Sequence, residues 1–386
     1  MVQPIVAGIV GAVTGFASTF ALVIAGLTAV GASPAEAASG LLALCITQGL
    51  LAVILSLRFR TPLSFAWSSP GAALLIAAHS TTEHFAAAVG AFVVAGVLTL
   101  LTGLWPALTR AVTGIPTPIA AAMLAGILFP ICLSPVLASV RSPLLALPII
   151  VVWLVLYRLA PRWAVPAALV VTIVVIGMSA GTSWLGAAVV APRVVFVAPS
   201  FDPLVIVSLG IPLYFVTMAG QNVPGFAVLR TLDYPPPPAR TVLVGVGGMS
   251  VVAGLFGGHA VNLAALSAAL MAGPDAHPER SKRWIAAVTG GVVYLALGVC
   301  AGLATSLVSA SPPLIIQTVA GLAMLGAFIA GLTSAFEAPQ HRPVAAITFL
   351  VVVSGIAIAG IGSAFWGLVV GGVVMLWLET RRRRTA

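Results

Sequence analysis

Phe65-Ala66-Trp67-Ser68-Ser69-Pro70-Gly71-Ala72-Ala73 lies inside an apolar run long enough to enter a bilayer, yet its middle reads as the start of a helix. Ser69 suits an N-cap. Pro70 suits the first helical position, where its missing N–H would be unpaired anyway, and Gly71 permits close backbone approach. A helix that begins part-way through a membrane leaves amides at a depth where unpaired polar groups are costly, so such breaks line cavities or ligands. The same residues also fit a proline kink in an unbroken span. A second broken stretch in the chain would favour the first reading.

The surrounding composition supplies the setting. Of 386 residues, 61% are hydrophobic and 6% are charged, with mean hydropathy +1.18. That balance describes an all-α polytopic membrane protein, since no water-soluble domain could carry it on its surface. Abundant glycine (39) and proline (28) fit closely packed, repeatedly interrupted helices. The net charge of +9 does not point to nucleic acid, because the basic residues stand at segment ends with no polar or aromatic surface between them. Cys45, Cys132 and Cys300 lie in separate apolar runs, so no disulfide framework, metal site or cofactor is indicated. Ala35-Glu36-Ala37 resembles a signal-peptide cleavage site, but no Lys or Arg precedes it and the apolar run is too long, so the first segment is expected to stay in the membrane.

Apolar runs can be placed at about 2–30, 36–56, 62–79, 85–104, 117–138, 143–160 and 163–180, then, after a polar interval around 183–202, at about 203–222, 240–256, 258–273, 284–309, 313–335, 343–361 and 363–379. Seven runs in each half predict fourteen transmembrane segments as a 7+7 inverted repeat. Charge placement is an independent check. With Arg381-Arg382-Arg383-Arg384 cytoplasmic, both termini are inside, and the inside loops hold Arg58, Arg60, Arg110, Arg158, Arg162, Arg230, Arg240, Arg280, Lys282, Arg283 and Arg342. Arg141 and Arg193 fall outside.

The second broken stretch is Gly257-Gly258-His259-Ala260-Val261-Asn262, in the tenth segment, the same position in its half as the opening stretch holds in the first. Paired glycines break the preceding run, and an apolar helical pattern is expected from His259 towards Ala272. Segments 3 and 10 would then present two helix N-termini to one another near mid-membrane. Each carries about half a positive charge, so the pair suits a monocarboxylate, with Ser68 and Ser69 adding hydroxyls and no Lys or Arg at that depth. Gln221 and Asn222, at the end of segment 8 before Pro224 and Gly225, could add amide donors or could simply form a polar helix end. Asn262 fits either the site or a bond to another helix. His259 is the one ionisable side chain placed near the membrane centre, and either a structural imidazole or a proton carrier would fit there. Phe16, Phe65, Trp67 and Phe256 could wall an aromatic substrate or merely pack. With a dipole-made carboxylate site they favour an aromatic acid over sulfate.

These residues carry a resemblance to the benzoate/proton symporter family. It runs through Gly26-Leu27-Thr28-Ala29-Val30-Gly31-Ala32-Ser33-Pro34, Ser69-Pro70-Gly71-Ala72-Ala73-Leu74-Leu75, Gln221-Asn222-Val223-Pro224-Gly225, His259-Ala260-Val261-Asn262-Leu263-Ala264-Ala265, Pro274-Asp275-Ala276-His277-Pro278 and Gly362-Ser363-Ala364-Phe365-Trp366-Gly367. The resemblance implies import of benzoate with protons across the bacterial inner membrane. Its fold, shared with uracil/xanthine permeases and sulfate-permease-type anion transporters, would divide the chain into a core domain (1–104 and 202–309) and a gate domain (105–201 and 310–386). Short extended stretches would precede the half-helices of segments 3 and 10, substrate would bind between the domains, and the gate domain would form a homodimer. The nucleobase permeases place carboxylates near the end of segment 8 and on segment 10, where this chain has Gln221 and no acid. That change suits an anionic substrate and removes the obvious proton carrier.

The expected binding set is therefore Phe16, Trp67, Ser68, Ser69, Gly71, Gln221, Asn222, Gly258, His259 and Asn262, with His259 for proton coupling. A transporter of another anion or a nucleobase is the main alternative. A channel, or a membrane enzyme, fits less well, because the acidic residues are dispersed and the cysteines lack partners.

Overall fold

The computed structural model describes residues 2–78, 82, 84–113, 115–180, 192–235, 237–264 and 270–385. Its helices are α1 (Val2–Ala29), α2 (Pro34–Phe59), α3 (Ser69–Ala77), α4 (Phe85–Leu104), α5 (Pro106–Thr113), α6 (Thr117–Arg141), α7 (Pro143–Leu159) and α8 (Pro161–Ala180). They continue as α9 (Pro203–Thr231), α10 (Ala239–Leu255), α11 (Trp284–Gly298), α12 (Ala301–Ser309), α13 (Pro313–Phe336), α14 (Arg342–Val353) and α15 (Ser363–Thr385). Two three-residue strands, β1 (Phe65–Trp67) and β2 (Val261–Leu263), pair antiparallel.

By length and composition, seven of the described helices can cross a membrane, or eight if α11 and α12, bent by 60° with their preceding turn, form one span. Large apolar side chains such as Leu144, Leu154, Val174 and Leu376 face outward. A bilayer, and not water, is the solvent that accepts such a surface. The molecule is a multi-pass membrane protein.

Helix packing falls into two groups. In one, α4 lies along α10, and α11 lies along both α1 and α2. In the other, α6 packs on α13 and α14, α14 on α15, and α7 on α8. Three smaller apolar clusters, around Trp153 and Ile315, Ile119 and Val344, and Ala122 and Ala335, belong wholly to the second group. The large core cluster is built chiefly on the first. Close packing needs glycine at some crossings. A Cβ on Gly258 would stand 2.9 Å from Leu44 Cγ and 3.1 Å from the Gly40 carbonyl oxygen, so α2 approaches this turn at backbone distance.

Several expected boundaries move for identifiable reasons. Segment 8 does not stop at Pro224. Instead α9 continues to Thr231 through two π turns, Ile206–Gly210 and Met218–Asn222, each ending two residues before a proline, Pro212 and Pro224. A π turn shifts the backbone bonding register just where the following proline has no N–H to offer. The expected 343–361 run ends as helix at Val353, and 354–362 is irregular, with left-handed backbone at Gly355, Ala359 and Gly360 and a single bridge between Ile358 and Ile361. Glu36 is a capping residue as well as an interfacial one: Ser33 and Glu36 form a reciprocal capping box at the start of α2. In the 276–283 loop, Lys282 donates to Glu279 at 2.7 Å and holds that carboxyl below its ordinary range, whereas Arg283 is buried, donating to the carbonyls of His277, Ala272 and Pro278.

Candidate functional site

The opening stretch of the sequence and its counterpart meet as a two-stranded sheet. Phe65 pairs with Leu263, Ala66 with Asn262 and Trp67 with Val261. Flanking bonds extend the ladder at each end, from Ser68 N–H to the Ala260 carbonyl and from Ala264 N–H to the Ser64 carbonyl, both 2.9 Å. Pairing satisfies backbone groups that an isolated break in a membrane span would leave bare. Extended backbone through Leu263 replaces the helix expected to start at His259. The chain is helical again at 270–272, and residues 265–269, where the second half-helix would begin, lie outside the described residues.

Ser68, and not Ser69, caps α3. Its Oγ accepts the Gly71 N–H at 3.1 Å, and Pro70 sits within the first turn. Ser68 is fully buried and is also a junction: Thr217 Oγ1 on α9 donates to its Oγ at 3.0 Å, and His259 Nε2 lies 2.9 Å from its carbonyl oxygen. Since a carbonyl only accepts, Nε2 carries the proton in this bond. His259 is 0% exposed, edge-on to Phe92, and its Nδ1 has no partner among the described residues.

Asn222 ties α9 to the sheet. Its Oδ1 accepts the Leu263 N–H at 2.9 Å, and its Nδ2 reaches the Thr217 carbonyl at 3.4 Å. Asn262, with its amide turned to satisfy both polar atoms, donates to the Leu263 carbonyl at 3.2 Å and accepts from Ser68 N–H at 3.1 Å. Ser250 on α10 accepts the Val261 N–H at 3.0 Å. The Val261 and Leu263 amides, on the outer side of β2, are thus taken up by side chains of α10 and α9.

Trp67 is 2% exposed and sits among aromatic rings, 5.7 Å from Phe16 and 5.9 Å from Tyr294, with its indole N–H donating to Thr19 at 2.8 Å. It packs inside the core group. Gly71 is buried, and a Cβ there would lie 2.6 Å from Leu213 Cδ1. Ser69 and Gln221 are the half-buried members of the expected set, and neither has a hydrogen-bond partner among the described residues. The structure therefore links Ser68, His259, Asn222 and Asn262 through the sheet and packs Phe16 on Trp67. Ser69, Gln221 and His259 Nδ1 retain polar atoms without a partner among the described residues, while Ser68, Asn222 and Asn262 hold the backbone in place.

Sequence reading missed Thr217, Ser250 and Thr19, which complete these bonds. It also missed Gln48, which is fully buried on α2 with neither amide atom partnered among the described residues. A lone amide within an apolar run was the available signal. A cavity of about 530 Å³, lined along α3 by Ala73, Leu74, Ile76 and Ala77 and across from it by α6, α13 and the start of α15, contains none of the ten expected residues.

Residues 1–377 match the family described as benzoate membrane transport protein, BenE. The chain belongs to the benzoate membrane transport family. Among its relatives, the inner membrane protein YdcO of Escherichia coli is 35% identical over 98% of this chain and 97% of that protein. The benzoate membrane transport protein of Acinetobacter baylyi is 34% identical over 85% of this chain and 83% of that one. Of solved structures, the transmembrane domain of the cyanobacterial bicarbonate transporter BicA matches at TM-score 0.56 and 16% identity, covering 95% of this chain and 96% of that chain. SLC26A9 matches at TM-score 0.64 and 11% identity, covering 98% of this chain and 66% of that chain. At such identities the two structures establish a shared fold. The benzoate transport family is one of membrane transporters and not of enzymes.

Proposed function

We propose that this chain is a secondary active transporter that imports benzoate or a related aromatic carboxylate together with protons, by alternating access. The observation that supports the reading is the β1–β2 ladder, whose capped α3 and second strand are tied to α9 by the Thr217–Ser68 and Asn222–Leu263 bonds, in a chain of the benzoate transport family. Ser69, with its hydroxyl and its unpaired first-turn amide, and Gln221 would meet the carboxylate. Ser68, Gly71, Asn222, Gly258, His259 and Asn262 would hold the site in shape, and Phe16 and Trp67 would back it with aromatic bulk. The positive end of α3 and two neutral donors bind an anion more weakly than an arginine would, which lets the substrate leave.

In this reading the shorter apolar helices and the two strand-plus-helix segments complete fourteen spans as a 7+7 inverted repeat, with both termini cytoplasmic in the bacterial inner membrane. The packing group containing α1–α4 and α9–α12 is the core, and the group containing α6–α8 and α13–α15 is the gate, which also forms the dimer contact. Movement of one group against the other exposes the site to each side in turn. His259 Nδ1, buried and without a described partner, is the atom assigned to proton coupling.

Purified protein in proteoliposomes tests this. An inward proton gradient is expected to accelerate uptake of labelled benzoate and a collapsed gradient to abolish the acceleration. Equal rates would remove the symport. Inhibition by bicarbonate or uracil but not by unlabelled benzoate would replace the substrate.

A further inference from the structure

The 530 Å³ cavity lies where the ends of α1, α3 and α14 meet the beginnings of α9, α13 and α15, so it occupies one end of the bundle between the two packing groups. Its size falls within the range of small-molecule pockets, about 300–1,000 Å³. Ala73 and Ile76 stand four and seven residues after Ser69, on the same face of α3, and the helix rises about 6 Å over four residues. The cavity floor is thus about one turn from the free hydroxyl at the start of the helix.

The lining is apolar apart from Ser208, Gln317 and Ser363, and none of the lining side chains is charged. Ser208 already donates to the Gly360 carbonyl and Ser363 to the Val352 carbonyl, both at 2.9 Å. Gln317, half-buried on α13, has no partner among the described residues. Two of the helix ends that line it also differ electrically. The carbonyl end of α3, at Ala77 and Ala78, repels an anion, whereas the amide end of α15, at Ser363 and Ala364, attracts one.

We infer that this cavity is an antechamber for the transported aromatic carboxylate, which rests its ring against Ala73, Ile76 and Ile131 and its carboxylate on Gln317 before passing to Ser69. Gln317 is therefore a substrate-contacting, specificity-determining residue on the gate side. With the termini cytoplasmic, the antechamber opens on the outer face. This inference rests on the aromatic-carboxylate reading proposed above, and the experiment separates the two.

Labelled benzoate uptake is measured into proteoliposomes containing wild type, Gln317→Leu and Gln317→Asn, with benzyl alcohol as a competitor that has the ring but no carboxylate. Loss of a hydrogen bond to a charged group predicts a KM about 10-fold higher in Gln317→Leu, with little change in the maximal rate. Partial rescue is expected in Gln317→Asn, and inhibition by benzyl alcohol should be unchanged in both. A KM for Gln317→Leu within twofold of wild type, in protein that transports benzoate, overturns the antechamber and leaves the proposed function standing. Absence of benzoate uptake by wild type overturns both. If Gln317→Leu fails to fold, Ala77→Phe fills the same space from α3, and an unchanged KM there overturns the inference equally.

Discussion

Replacing Ser68 by alanine separates the residue that ties α3 to α9 from the neighbour proposed above to meet the substrate. Ser68→Ala removes one oxygen with two partners, the Gly71 amide at 3.1 Å and the Thr217 hydroxyl at 3.0 Å, both in buried surroundings. Loss of a helix cap costs about 0.5–2 kcal/mol. Leaving the Thr217 hydroxyl buried without its partner costs about 1–3 kcal/mol more. The expected destabilisation is about 2–4 kcal/mol, measured by reversible denaturant titration in mixed micelles with tryptophan fluorescence. In a Thr217→Val background the hydroxyl is already gone, so the same change should cost only the cap, about 1 kcal/mol, and the double-mutant cycle should show coupling of about 1–3 kcal/mol. Ser69→Ala is the control. It carries no described hydrogen bond, so its stability should move by less than about 0.5 kcal/mol while the KM for benzoate rises. A Ser68→Ala protein as stable as wild type, or zero coupling with Thr217, would refute the assignment of Ser68 as the structural junction.

His259→Gln keeps a donor towards the Ser68 carbonyl but removes the imidazole, so folding and benzoate counterflow should survive while uptake loses its response to an inward proton gradient. A retained response would move the proton elsewhere. Ser208→Ala breaks the link from α9 to the Gly360 carbonyl at the cavity rim, worth about 0.5–1.5 kcal/mol, and should shift the balance of states by about 2- to 10-fold. Pulsed electron spin measurements between labels at Leu204 and Ile358 should then show a wider distance distribution, and an unchanged one would show that the bond restrains nothing.

Much of this architecture could be read from the residues, and its limits are physical. The break at Phe65–Ala73 was legible because proline, glycine and serine change backbone chemistry locally. Its cap was misplaced by one residue, since two adjacent serines are equivalent to any rule based on residue type and only the φ/ψ of Ser68 chooses between them. The counterpart at Gly257–Asn262 is legible too, but three residues of alternating Val261, Asn262 and Leu263 are too few for a period of two to outweigh an apolar helical pattern. The π turns before Pro212 and Pro224 leave no mark distinct from an ordinary proline stop. An aromatic side chain near an anion site suggests stacking, yet Trp67 is buried in the core group. Its partner Thr19 lies 48 positions away, so no local pattern announced that its N–H was occupied. Gln317 was invisible for the same reason, as its cavity is assembled from α6 and six helix ends dispersed along the chain.

The small sheet also sets an order of events during synthesis. His259 and Ser68 are bonded although 191 positions separate them. At about 5–20 residues per second, β1 leaves the ribosome roughly 10–40 s before the strand that completes it. Throughout that interval the edge of β1 carries amides and carbonyls that lipid cannot satisfy. In the fourteen-span reading proposed above, the first half of the chain therefore cannot settle alone in the bilayer interior, and segment 3 waits in the insertion machinery, in water or against a chaperoning surface until β2 arrives.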